Sequence, residues 1–160
     1  MNTQEFLGEK TVSVTNSEIK AYLAGLKKTF PVLMDLTAVD YLEPVAHTII
    51  VYWLHNPDSL ERLRVTVSLA RGEEIQTVTD LWAGADWYER ELYDLFGIHF
   101  HGHPDLTRIL MPDDWHGHPL RKDYALTEEP VEFKHGVKPK VPSQIIPNVK
   151  TLWSYDKQQQ

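Results

Sequence analysis

The chain has 160 residues, 42% hydrophobic and 24% charged, which suits one globular domain with a packed core and is too apolar for a disordered chain. Its net charge of −7 argues against nucleic acid or an anionic lipid surface as the main partner, since both demand clustered Lys and Arg to displace counterions. With no cysteine, it can hold no disulfide, thiol nucleophile, thiolate-bound zinc or iron–sulfur cluster of its own.

The amino end, MNTQEFLGEK, carries two acids and no apolar run, so it reads as neither a secretory signal nor a transit peptide. The longest apolar run, Ile49 to Leu54, is far short of the ~20 residues a spanning helix needs. A cytoplasmic location is expected, with membrane contact made through a partner.

The first element that the periodicity predicts is a helix. Ser17 is its N-cap, Ile19, Tyr22, Leu23 and Leu26 recur at helical spacing to about Lys28, and Pro31 stops it. Val32 to Leu42 reads as a strand ended by Pro44, and His47 to Leu54 as a second, followed by an Asn56-Pro57-Asp58-Ser59 turn. Leu63, Val65, Val67 and Leu69 alternate with polar residues, which puts one face of a third strand in the core. These strands predict an antiparallel meander.

After Gly72, Ile75 to Val78 reads as a short strand. Asp86 then fits an N-cap with Glu89 three residues on, a capping box, and the helix runs from Trp87 to Phe96 and ends at Gly97. Tyr88, Leu92 and Leu95 share one face of it, leaving Glu89, Arg90, Glu91 and Asp94 on the others. Ile98 to His101 is a last short strand. The fold class expected is α+β, a two-layer sandwich of a mixed, mainly antiparallel sheet with helices on one face, over residues 1–126.

From Thr127 the periodicity disappears and Pro130, Pro139, Pro142 and Pro147 forbid a long helix or a central strand. The charge changes too, from −8 over residues 1–127 to +1 over 128–160. Ile145, Ile146, Val149, Leu152, Trp153 and Tyr155 must nevertheless pack somewhere. Residues 127–160 therefore read as an extended arm that wraps a partner, the alternative being a strap over its own domain.

Residues 87–124 concentrate the chemistry. Glu89 and Glu91 are two apart on a helix and do not face each other, whereas Arg90 and Asp94 are four apart and can pair. A solvated or partner-docking face is the reading preferred over paired catalytic carboxylates. Five histidines, at 99, 101, 103, 116 and 118, could bind zinc with Asp105, Asp113 and Asp114 nearby. Turn chemistry competes with that reading, because the two Gly-His-Pro corners leave His103 and His118 to bond a backbone or a carboxylate. Arg121, Lys122 and Asp123 lack a Gly-rich phosphate loop, so an ion pair is expected, with Glu89, Glu91 or a partner's acid as the carboxylate. No Ser-His-Asp order, G-x-S-x-G or H-E-x-x-H is present.

Three stretches, WYERELYDLFGI (Trp87 to Ile98), GHPDLTRILMPDDW (Gly102 to Trp115) and GHPLRKDY (Gly117 to Tyr124), resemble one family, that of the C subunit of bacterial NADH-quinone oxidoreductase, respiratory complex I. The likeness extends more weakly through LTAVDYL (Leu36 to Leu42) and VTDLWAGADW (Val78 to Trp87), and departs at Thr107, where the family usually shows a base before Arg108. His99, His101 and His116 sit where the family's pattern is permissive.

The resemblance implies a hydrophilic-arm subunit without catalytic residues or cofactor, in an enzyme that passes electrons from NADH to quinone, coupled to proton translocation. FMN and the iron–sulfur clusters would sit in partner subunits. It further implies quinone-site and iron–sulfur subunits as neighbours and a peripheral position on the cytoplasmic side of the inner membrane. Glu89, Arg90, Glu91, Asp94, His103, Arg108, His118, Arg121, Lys122 and Asp123 are the candidates for structural and interface contacts. Two rivals stand beside it: the equivalent subunit of a membrane-bound hydrogenase or formate-hydrogenlyase complex, and a free-standing zinc hydrolase built on the histidines.

Overall fold

A computed structural model describes residues 2–6 and 8–124. The expected arm, 127–160, lies outside the described residues.

The chain opens on a hairpin that the periodicity does not announce. Strand β1 (Asn2–Phe6) pairs antiparallel with β2 (Glu9–Val14), from Asn2↔Ser13 to Phe6↔Glu9. Every residue of β1 is exposed, so it has no apolar alternation to reveal it. Helix α1 (Asn16–Leu26) follows, and its cap is Thr15 rather than Ser17. Thr15 is extended, and its hydroxyl meets the Glu18 carboxylate at 2.7 Å. Ile19 and Leu23, four apart on one face, are completely buried, each contributing roughly 2 kcal/mol.

Strands β3 (Val32–Tyr41), β4 (His47–His55) and β5 (Arg62–Ala70) form the antiparallel meander, with a register shift between Leu33 and Asp35. β2 joins β5 in parallel, giving a mixed sheet of order β1-β2-β5-β4-β3. One row across the register runs Val12, Val65, Tyr52, Leu36, all buried. Side chains alternate along each strand, so this parity defines the core face. Ile19 and Leu23 of α1 and Leu92 of the second helix join the same cluster, so both helices lie on that face. Two layers result, as the patterning predicts.

The remaining elements form a small βαβ unit. Strand β6 (Ile75–Gln76) pairs in parallel with β7 (Phe100–His101), and α2 (Ala85–Phe96) connects them. The helix packs along β3, with the Tyr88 hydroxyl donating to the Met34 carbonyl at 2.9 Å. Its N-cap is Gly84, so Asp86 stands in the first turn, where its charge suits the helix dipole, and the predicted capping box does not form. Its end is as predicted: Gly97 takes a left-handed φ of 73° and donates its N–H to the Tyr93 carbonyl at 2.9 Å. Among the described residues no helix is long and apolar enough to cross a membrane.

Candidate functional site

Helix α2 is covered on two sides. The sheet takes one, with Leu92 buried and Tyr88 and Phe96 partly so. Residues 106–124, which carry no regular structure, take another and are stapled down by buried carboxylates.

Asp94 is the principal staple. Its Oδ2 accepts three consecutive backbone N–H groups, from Ile109 at 3.1 Å, Leu110 at 2.7 Å and Met111 at 2.9 Å. Its Oδ1 takes the Arg108 guanidinium at 2.7 Å. Burial alone would push this carboxyl up, but those N–H donors and Arg108 overcome it and hold it below the usual aspartate value. Arg108 also donates to the Gly117 carbonyl at 3.1 Å, and the His118 Nδ1–H donates to the Asp94 carbonyl at 2.9 Å. Burial, together with Arg108 and Arg121, depresses the His118 imidazole pKa against the opposing pull of that carbonyl.

Asp40 is the second staple and was not among the sequence candidates. It accepts the Thr48 hydroxyl at 2.8 Å, the two terminal Arg71 guanidinium nitrogens at 2.8 and 3.0 Å, and the Lys122 backbone N–H at 2.8 Å. Burial raises its carboxyl, and these donors more than reverse that. A signal existed: Leu36, Ala38 and Asp40 alternate inward along β3, and an aspartate on a core-facing register needs buried partners.

Glu89 faces inward as well. It accepts the Thr77 hydroxyl at 2.6 Å and the Val78 N–H at 2.7 Å, which tie α2 to the turn after β6. Burial pushes its carboxyl up to about 7, against the pull of Thr77, Val78 and Lys20. His103 is enclosed beside it, with Nε2 3.2 Å from Asp86 Oδ1 and 3.9 Å from Glu89 Oε2.

These placements correct several expectations. Glu89 and Asp94 are not on a solvated or docking face, because the expectation gave α2 one covered side and the 106–124 segment supplies another. Arg90 does not pair with Asp94: it lies over the Trp87 ring at 5.1 Å and donates to the Thr107 carbonyl and hydroxyl at 3.1 and 2.9 Å. Arg121 pairs with neither Glu89 nor Glu91 but with Asp123, at 2.9 and 2.6 Å. Glu91 is exposed, and Lys122 acts through its backbone while its side chain is exposed.

The histidines scatter. β7 stops at His101 and Gly102 turns at a φ of 81°, so His103 leaves the face its alternation implied. His99 is exposed, edge-on to Tyr93 at 5.2 Å, and His101 and His116 are exposed. Among the described residues no three His, Asp or Glu side chains are placed to hold a metal ion. What these groups can do is mechanical: they hold an irregular segment rigidly against a helix.

The respiratory-chain NADH dehydrogenase 30 Kd subunit family matches residues 12–130, which include Asp40, Glu89 and Asp94. The chain belongs to this family. It is 46% identical over 129 residues to the C subunit of the NADH-quinone oxidoreductase of Geotalea uraniireducens (strain Rf4), covering 79% of each chain. A relative from Acidiphilium cryptum (strain JF-5) is named as the C/D subunit of NADH-quinone oxidoreductase: 108 residues match at 46% identity, 62% of this chain but 18% of that longer protein. Among solved structures, a chain of the membrane-bound sulfane sulfur reductase, an archaeal respiratory membrane complex, superposes with a TM-score of 0.71 at 25% identity, covering 78% of this chain and 77% of that one. The likeness thus spans both the sheet and the stapled segment.

Proposed function

We propose that this chain is the structural C subunit of an NADH-quinone oxidoreductase, placed in the peripheral arm and contributing no redox group or catalytic residue itself. The observation that carries this is the 46% identity to a C subunit across 79% of both chains. The geometry supports it: each buried carboxylate of the described residues accepts at least one backbone N–H of this chain and so holds its own fold together. Electrons would pass through FMN and iron–sulfur clusters held by other subunits.

The chain's neighbours in this reading are the quinone-site and iron–sulfur subunits, on the cytoplasmic side of the inner membrane, with membrane contact through the complex. The relative named C/D supports a neighbouring D subunit, since fusion into one chain suits parts that assemble side by side. Glu89, Arg90, Glu91, Asp94, His103, Arg108, His118, Arg121, Lys122 and Asp123 act in this reading as structural or interface contacts. The reading is preferred to a hydrogenase-type complex because relatives at 46% identity are named as C subunits of NADH-quinone oxidoreductase.

Affinity purification of the tagged chain from native membranes tests this. It should bring down a flavin- and iron-containing assembly that oxidises NADH with quinone, and a strain lacking the gene should lose that assembly. Recovery of a single chain with its own turnover would overturn the reading, and recovery of a flavin-free hydrogenase would replace it.

A further inference from the structure

The three buried carboxylates of the described residues are not treated alike. Asp40 and Asp94 each receive an arginine guanidinium as well as backbone N–H. Glu89, with no solvent-accessible surface, receives two neutral donors. The neighbouring arginine, Arg90, is turned outward to Thr107.

His103 is turned away from the carboxylate: its Nδ1 accepts the Asp105 N–H at 3.1 Å, and its Nε2 lies 3.2 Å from Asp86 Oδ1 against 3.9 Å from Glu89 Oε2. Other groups face the carboxylate from the elements around it. From α1, Lys20 favours the ionised form, but its ammonium is engaged by the Thr77 carbonyl at 2.7 Å and Asp80 at 2.8 Å. From α2 itself, Asp86 opposes ionisation. From β4 comes Tyr52, whose fully buried hydroxyl has no hydrogen-bond partner among the described residues.

We propose that Glu89 is a proton-binding site of the folded chain, whose ionisation loosens the seating of α2 on the turn after β6. A carboxylate taken out of water without a countercharge favours its neutral form. The surrounding hydroxyls accommodate that form without losing a bond. When Glu89 is ionised, Thr77 donates to it; when Glu89 is protonated, its O–H donates to Thr77 Oγ1, and Thr77 turns to donate to Thr79 Oγ1, 2.9 Å away. The proton released on ionisation goes to solvent. A folded-state value raised above the unfolded one gives stability that is complete below about 4.5 and is lost as pH rises through about 7. The site therefore tightens the α2–β6 junction on the acid side of neutrality.

The test is a carboxyl titration by NMR on the full chain, labelled with carbon-13 in glutamate. One glutamate should titrate with a midpoint above about 6, and its signal should be absent from Glu89→Gln. Should that variant fail to fold, the wild-type Thr77 and Val78 amides serve instead: they should shift with the same midpoint as that carboxyl. Their protection from hydrogen exchange, corrected for intrinsic rates, should fall roughly tenfold or more between pH 6 and 9. Titration of every glutamate below about 5.5, or amides that do not follow the carboxyl, would overturn the proposal.

Discussion

Arg108 reaches back fourteen residues to place its guanidinium 2.7 Å from Asp94 Oδ1, while the three residues that follow it wrap their N–H groups around Oδ2. Arginine and backbone thus share one buried carboxylate. Asp94→Ala should cost about 3–5 kcal/mol, because it strands the guanidinium and three N–H donors together. Arg108→Met should cost less, since the backbone N–H groups still satisfy the carboxylate. Urea denaturation of both variants checks the order, and an equal or reversed ranking would show that the ion pair, not the backbone, holds the segment.

Asp40 secures the far end of the same segment through the Lys122 N–H, across 82 residues. Asp40→Asn keeps the size but weakens three charge-assisted contacts, at about 1.5–3 kcal/mol in all. Trypsin should then cut at Arg121 and Lys122 well before the sheet unfolds. Unchanged cleavage kinetics would mean that other contacts hold this end.

Gly97 and His118 interlock. A Cβ at position 97 would lie 2.5 Å from His118 Cδ2, and the glycine's φ of 73° is itself unfavourable for other residues. Gly97→Ala should destabilise the chain by about 2–4 kcal/mol, combining left-handed strain with the collision. Pairing it with His118→Ala should recover at least ~1 kcal/mol relative to the sum of the single changes. Strict additivity in that double-mutant cycle would refute the contact.

Acid should release the staples in order. His118 has a depressed folded pKa, so its share of stability is whole above about 6.5 and drains as pH falls through its folded value. Asp40 and Asp94 are also depressed, so theirs is whole above about 3.8 and drains only as pH falls through their lower folded values. Exchange at the Ile109, Leu110 and Met111 amides should accelerate below the aspartate range, and His118→Gln should lose only the milder, earlier phase. Amides whose protection is indifferent to acid would contradict this assignment.

How much of this was legible depended on where each residue's constraint comes from. The meander showed itself because Leu63, Val65, Val67 and Leu69 alternate in the chain itself, and the end of α2 because Gly97 is the residue a left-handed turn wants. β1 left no trace, since NTQEF pairs through its backbone and buries nothing. Asp94 and Glu89 looked like surface acids because helical spacing tells which residues share a side of a helix, not how many sides are covered. The family likeness was legible in the density of 87–124, yet it named residues without saying which of them touch.

From its sequence alone this chain was determined to be a cysteine-free α+β domain with an amphipathic strand set, a glycine-ended helix and one chemically dense segment, because composition and periodicity are local properties of the chain. Tertiary structure alone decided that Arg108 and three N–H groups belong to Asp94, that Lys122 belongs to Asp40 and that Glu89 stands without a cation. Those pairings span from 14 to 82 residues, and a buried charge is defined by what surrounds it, which exists only once the elements have packed.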